Sequence, residues 1–183
     1  MTENIDDREL LLLFKEPGSK EKAYTCIIKK YQEKLYWHIR RLVIQHEDAN
    51  DVLQNMFIKV WKGLENFRED SQLYTWLYRI ATNESLTFLE QQKKRAATSL
   101  SDNENGLSRH IEADKYFDPK KIEWKLQLAI QQLPDKQKAV FNLRYYDEMP
   151  YEEMSRVLET SEGALKASYH HAVKKIEDYI LNH

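Results

Sequence analysis

Between Glu47 and Leu64 the apolar residues Ala49, Val52, Leu53, Met56, Phe57, Val60, Trp61 and Leu64 recur at intervals of three and four, with Asp48 and Asp51 near the start of the run. Such spacing forms a continuous stripe only on an α-helix, and a helix with one apolar side must be packed against others. Acids in the first turn also suit the positive end of the helix dipole. Four glycines and four prolines in 183 residues, set against abundant Leu, Lys, Glu and Gln, favour long helices over a meandering sheet. The chain is predicted to be all-α.

The rest of the pattern divides it in two. Residues 8–14 and 21–45 predict two helices joined through Pro17-Gly18, the second carrying Tyr24, Ile27, Ile28, Tyr31, Leu35 and Ile39 at helical spacing. A polar connection, Glu65 to Ser71, leads into a helix that starts with "SQLYTWLYRIATNESL" and continues through Phe88 and Leu89 to Lys93-Lys94-Arg95. Periodicity stops there. From Ala96 to Pro119 the acids Asp102, Glu104, Glu112, Asp114 and Asp118 outnumber Arg109 and Lys115, which suits a solvated flexible linker. The expected organisation is therefore a small helical domain over 1–95, an acidic linker over 96–120 and a second small helical domain over 121–183.

In the second domain Trp124, Leu128 and Ile130 lead to Leu133-Pro134. A helix from about Asp135 to Tyr146 follows, then a turn "DEMP" and the helix "YEEMSRVLE", with Pro150 where its missing N–H costs nothing. A last helix, capped by Thr160 or Ser161, runs to about Leu181. Short helix, tight turn and longer helix is the helix-turn-helix order.

Several function classes are disfavoured. The apolar run Leu10–Phe14 is too brief for a signal segment or a membrane span. Cys26 is the only cysteine, so no internal disulfide forms, and a cytoplasmic location is expected. No two glycines are close enough for a phosphate loop, His170 and His171 diverge around a helix, and Cys26 has no evident partner. The expectation is no catalysis, no metal and no cofactor. Twenty-eight Lys and Arg against 30 Asp and Glu leave a net charge of −2, and affinity for duplex DNA comes largely from neutralising phosphates. A DNA role must then use local patches or a helper.

Two constellations invite that role. On the last helix Leu165, Tyr169, Ala172, Val173, Ile176 and Ile180 share one side, while Lys166, Ala167, His170, His171, Lys174 and Lys175 look outward. This is the side a recognition helix presents to the major groove, and equally the solvated side of any amphipathic helix. In the earlier helix Leu73, Leu77 and Ile80 point inward with Trp76 at the edge. Tyr74 and Tyr78 lie together on one flank, and Arg79 and Asn83 on another. Such rings either stack on unpaired bases or pack on the helix at 21–45.

Two stretches carry a family resemblance: "DVLQNMFIKVWKGLENFREDSQLYTWLYRIATN" and "LPDKQKAVFNLRYYDEMPYEEMSRVLETSEGALKASYHHAVKKIE". Over roughly residues 10–180 the chain resembles the two-domain bacterial RNA polymerase sigma factors of the extracytoplasmic-function group. The resemblance implies a subunit that binds core RNA polymerase and directs promoter recognition and DNA melting, with an anti-sigma factor as a further partner. By position it implies polymerase docking through Asp48, Asp51, Gln54, Asn55 and Phe57, with Asn55 where the family usually has an acid. It implies minus-10 contacts from Phe67, Arg68, Ser71, Tyr74, Trp76, Tyr78, Arg79 and Asn83, including a pocket for a flipped base. Minus-35 duplex would be read by Lys166, Ala167, Ser168, His170, His171 and Lys174, where relatives carry more Arg and a Thr in place of Ala164. A subunit working inside a large polymerase need not bring its own cationic field, which accounts for the charge. A free-standing helix-turn-helix regulator with a helical sensor domain is the rival reading.

Overall fold

The computed structural model describes residues 5–98 and 125–182, together with the backbone alone at 122–124. Among them are eight helices and no strand: α1 Asp7–Lys15, α2 Lys20–Val43, α3 His46–Leu64, α4 Leu73–Thr98, α5 Ile122–Gln131, α6 Asp135–Tyr145, α7 Tyr151–Leu158 and α8 Glu162–Asn182. The all-α expectation holds. Helix α4 runs three residues past the expected boundary at Arg95, because "AAT" continues a helix as readily as it begins a linker. Most of the proposed linker, with its acids, lies outside the described residues.

The N-terminal unit is α2 wrapped by α1, α3 and α4. Leu10 and Phe14 of α1, Ile27, Leu35, Ile39 and Leu42 of α2, Val52, Met56, Val60 and Leu64 of α3, and Leu73, Leu77 and Ala81 of α4 are all buried together. Gly18 makes the α1–α2 turn at φ +83°, a conformation that side chains resist. Gly63 has a different reason to be small. A Cβ there would come within 2.9 Å of the Trp76 indole, so α4 lies close over the end of α3.

In the C-terminal unit Ala129, Ile130 and Leu133 meet Phe141, Ala172 and Ile176, binding α5, α6 and α8. Helix α7 carries Met154 and Val157 inward, and Ser161 caps α8 by accepting from the Ala164 N–H at 3.3 Å. Of the two caps expected, Ser161 takes the role.

These units do not stand apart. Ala139, Val140 and Leu143 of α6, Met149 of the following turn, Met154 and Val157 of α7, and Leu165 of α8 belong to the same buried cluster as the N-terminal core. Helix α7 lies on α4, and α6 touches both α2 and α4. At the centre of this boundary sits Asp147, whose side chain is 6% exposed. Its Oδ2 is 2.8 Å from His38 Nδ1. Its Oδ1 accepts from Arg41 Nη1 at 3.2 Å and from the Tyr78 hydroxyl at 3.4 Å. The other His38 nitrogen, Nε2, is 2.9 Å from Thr82 Oγ1, which gives its own proton to the Tyr78 carbonyl at 2.7 Å. A carboxylate only accepts, and the Thr82 proton is already committed. Both ring nitrogens of His38 are thus engaged, Nδ1 across the boundary with Asp147 and Nε2 within the N-terminal unit.

Burial sets the response to alkali. Lys138 is buried, donates to Gln131 Oε1 at 2.8 Å, and is pushed down from 10.5 to about 8 by desolvation. Between those values the unfolded chain holds a proton that the folded chain has lost, so stability rises with pH there. Desolvation, and then the Asp147 charge, raises Tyr74 to about 12 and Tyr78 further. Tyr31 is raised as well, by desolvation and its bond to Asp7. Above about pH 10 the unfolded tyrosines ionise while the folded ones do not, so stability then falls. Urea unfolding followed between about pH 7 and 11.5 should show the free energy climbing above pH 8, peaking near 10 and declining beyond. Tyr78→Phe should flatten the decline.

Candidate nucleic-acid interface

Helix α3 presents Glu47, Asp51, Gln54, Asn55 and Ile58 to solvent, while Val52, Met56 and Val60 face the core. Three of the five expected docking residues, Asp51, Gln54 and Asn55, thus share an open polar side. Asp48 is half-buried in the first turn. Phe57 is a correction: its ring is 9% exposed, set edge-on to Tyr24 at 6.5 Å, and its carbonyl accepts from the Tyr24 hydroxyl at 2.6 Å. Phe57 supports this helix from beneath and presents nothing. Ile58, 54% exposed in the middle of the polar side, was not singled out from the sequence. Its signal was available, because it lies four residues after Gln54 and seven after Asp51, where a solvated helix face has little use for a β-branched apolar side chain.

The α3–α4 connection and the start of α4 border a cleft of about 570 Å³, lined by Phe67, Ser71, Gln72 and Leu73 together with Asp6, Asp7, Arg8, Leu11, Glu69, Asp70 and Arg156. The cleft brings Phe67 and Ser71 together as expected. It does not reach Arg68 or Asn83, which are both exposed. Asn83 lies ten residues beyond Leu73, roughly 15 Å along the helix axis. Four acids among the lining residues against two arginines repel a phosphate but can accept protons from a base edge. Three of those acids are engaged: Asp6 caps α1 by accepting from the Asp7 N–H at 2.8 Å, Lys15 holds Glu69 at 2.9 Å and lowers it, and Lys30 and Tyr31 hold Asp7 at 2.7 and 2.6 Å.

The rings along α4 divide. Trp76, half-buried, rests on Gly63 and on Phe67, with centroids 5.0 Å apart, so it sets the shape of the cleft wall. Tyr74 is half-buried at 4.5 Å from the Tyr78 ring. Tyr78 is the second correction to the minus-10 set: of the two alternatives it takes packing over an open stacking face, being 2% exposed with its hydroxyl turned toward Asp147 of the C-terminal unit. Thr75 is bonded to Glu153 and Arg79 is paired with Glu159, both partners coming from α7 or its end. Packing on helix 21–45 does not explain Tyr78 alone; it meets His38 of α2 at 5.0 Å, but a unit from later in the chain completes its burial.

Helix α8 divides as its periodicity predicts. Lys166, Ala167, His170, His171 and Lys174 are exposed and Ser168 is half-buried, while Leu165, Ala172 and Ile176 are sealed inside. Lys166 pairs with Glu162 at 3.5 Å and lies 5.5 Å from the centre of the Tyr151 ring, which holds its ammonium near the start of the helix. Among the described residues no group of three or more His, Cys, Asp or Glu is placed to hold a metal ion.

Residues 27–95 match sigma-70 region 2, and residues 123–176 match sigma-70 region 4. The chain is 30% identical over 165 residues to the RNA polymerase sigma-H factor of Pseudomonas aeruginosa, covering 86% of each protein. This chain belongs to the extracytoplasmic-function sigma factors. It is 29% identical over 188 residues to the ECF RNA polymerase sigma-E factor of Haemophilus influenzae, covering 98% of each. The fold is also that of the sigma factor RpoE from Bartonella quintana, solved in complex with the anti-sigma factor NepR, with a TM-score of 0.68 at 17% identity over 87% of this chain and 97% of that one. It is a promoter-directing factor, from a family that is not one of enzymes, and the free-standing regulator is set aside. No described helix of this sigma factor is long and apolar enough to cross a membrane.

Thermal unfolding should separate the α3 residues that face outward from those that support the helix. Ile58→Asp should change stability by less than about 1 kcal/mol, as exposed helix substitutions do. Phe57→Ala should cost about 3 to 5 kcal/mol through loss of buried ring contacts.

Proposed function

We propose that this sigma factor engages core RNA polymerase with the exposed side of α3, admits a flipped minus-10 base to the cleft at Phe67 and Ser71, and reads minus-35 duplex with α8. The observation that carries this reading is that these three surfaces are separate and built on different supports. The α3 side is a polar stripe with one apolar residue at its middle, the geometry of a docking helix in which Ile58 supplies the desolvated contact and Asp51, Gln54 and Asn55 supply orientation. The cleft is walled by a ring and edged by acids, so it suits a neutral base better than a phosphate. The α8 side offers two lysines and two imidazoles beside a small Ala167, which leaves room for close approach to a groove edge.

Few guanidinium groups stand on α8, so its grip on phosphate is modest, and the polymerase supplies the remaining affinity. Such a factor carries out no chemistry of its own and works in the cytoplasm, where polymerase is. An anti-sigma factor is its proposed regulator, as the Bartonella quintana neighbour was solved with one.

Affinity capture tests the docking side. Asp51→Lys and Ile58→Asp should each lower copurification of the large polymerase subunits by at least about tenfold, the loss of about 1.4 kcal/mol or more. Capture equal to that of the parent chain would remove α3 from the docking surface. Transcription in vitro from a genomic promoter library tests the rest: Phe67→Ala should leave capture intact while reducing permanganate-reactive open complexes. In the polymerase complex, Lys166→Ala should weaken duplex binding and reduce the slope of log affinity against log salt by about one.

A further inference from the structure

We propose that Asp147 is a conformational latch that holds the C-terminal unit over α4, closing the strand-trapping side of this sigma factor while leaving its duplex-reading side open. The functional meaning of the two sides rests on the reading above, but the closure stands on geometry.

The side-chain bonds of Asp147 all run outside its own unit, to His38 and Arg41 of α2 and Tyr78 of α4. Its backbone N–H, by contrast, bonds locally to the Asn142 carbonyl. A carboxylate in the α6–α7 turn contributes nothing to that turn when its side chain points wholly away from it. The surrounding boundary bonds are of the same kind: Thr75 with Glu153, Arg79 with Glu159, Lys93 with Asp135, and the Gln131 amide to the Arg41 carbonyl. Arg79 and Glu159 remain 46% and 66% exposed, so water can replace their pairing.

Coverage by the second unit is one-sided. Tyr78 and Thr75 are buried by it, Arg79 is engaged by it, and Arg156 of α7 reaches the rim of the cleft that holds Phe67 and Ser71. Lys166, Ala167, His170, His171 and Lys174 of α8 stay exposed. Elements centred about 10 and 35 positions upstream lie roughly 25 base pairs apart, about 85 Å of duplex at about 3.4 Å per pair. Units in direct contact cannot occupy both. Closure is therefore a resting state that must open when the factor works, and the apolar surface of Val140, Met154 and Val157 that opening uncovers favours opening on a larger partner over opening in water.

The test uses the full chain with Cys26→Ser and nitroxide labels at two exposed positions, Glu33→Cys on α2 and Glu177→Cys on α8, read by pulsed electron spin resonance. The parent should give one narrow, short distance. Asp147→Ala and Arg41→Ala, altering opposite sides of the latch, should each move most of the population to a longer and broader distribution, with circular dichroism showing that helix content is kept. The double variant should move it no further than the stronger single one. A distribution unchanged in both single variants, or a broad one in the parent, would overturn the latch. Binding of a fluorescein-labelled random single-stranded 20-mer forms the second arm, expected to tighten at least tenfold in the opened variants while random duplex binding changes less than twofold. If the distances lengthen and single-strand binding does not tighten, the latch stands and the role given to α4 falls.

Discussion

A single carboxylate shared between a histidine ring, a guanidinium and a phenol decides how the two halves of this sigma factor sit. Asp147 comes from the turn between α6 and α7, and its side-chain partners among the described residues come from α2 and α4. Burying a carboxylate beside a partly covered guanidinium is expensive, and their mutual attraction only roughly offsets it. The attraction between the halves must then come largely from apolar contact along α6, α7 and the start of α8, which continues the N-terminal core without a break. The polar cluster selects one orientation among the many that such contact would tolerate. Hydrophobic association is non-directional; two hydrogen bonds at one imidazole are not.

This division of labour explains why the rings of α4 behave differently from one another. Trp76 is committed to the shape of its own unit, lying over Gly63, where any larger residue would push α4 away from α3. Within its own unit Tyr78 meets the rings of His38 and Tyr74 and local backbone. Its hydroxyl is satisfied by Asp147, and its burial depends on α7 remaining in place. A residue that is sealed by a separable partner is stable while covered and available when uncovered. The same holds for Thr75, whose hydroxyl reaches Glu153 in α7.

Much of the fold was legible because amphipathic helices write their inner side into the chain. The stripe on α3, the division of α8 and the short helix before it all follow from a period of 3.6 with few glycines and prolines to interrupt it. Periodicity reports an angle around a helix axis, however, and not what lies at that angle. Tyr78 was placed on the correct flank, but nothing local says that α7, some seventy residues later, covers it. The same stripe placed Phe57 correctly on the packed side, and only the resemblance offered it for docking. Its carbonyl accepts from the Tyr24 hydroxyl of α2 on that same packed side. His38 was invisible altogether, because it occupies a core-facing position among Leu35, Ile39 and Leu42, where an apolar residue would have looked the same. Its partner lies 109 positions away.

The acidic balance of the chain acquires a local meaning from the same geometry. Asp147, Glu159 and Asp135 of the C-terminal unit face Arg41, Arg79 and Lys93 of the N-terminal unit, and Glu153 accepts from Thr75, so part of the negative charge is used internally to join the halves. In the closed state those basic groups, which lie beside the proposed path of a melted strand, are occupied by carboxylates. DNA phosphates would have to displace carboxylates already held close by apolar packing, and at a net charge of −2 no long-range field assists them. Opening changes the competition, because it removes the carboxylates and uncovers the rings together. The same movement that exposes Tyr78 for stacking also frees Arg79 and Arg41 for phosphate, so electrostatic and aromatic contributions to strand capture arise as one event.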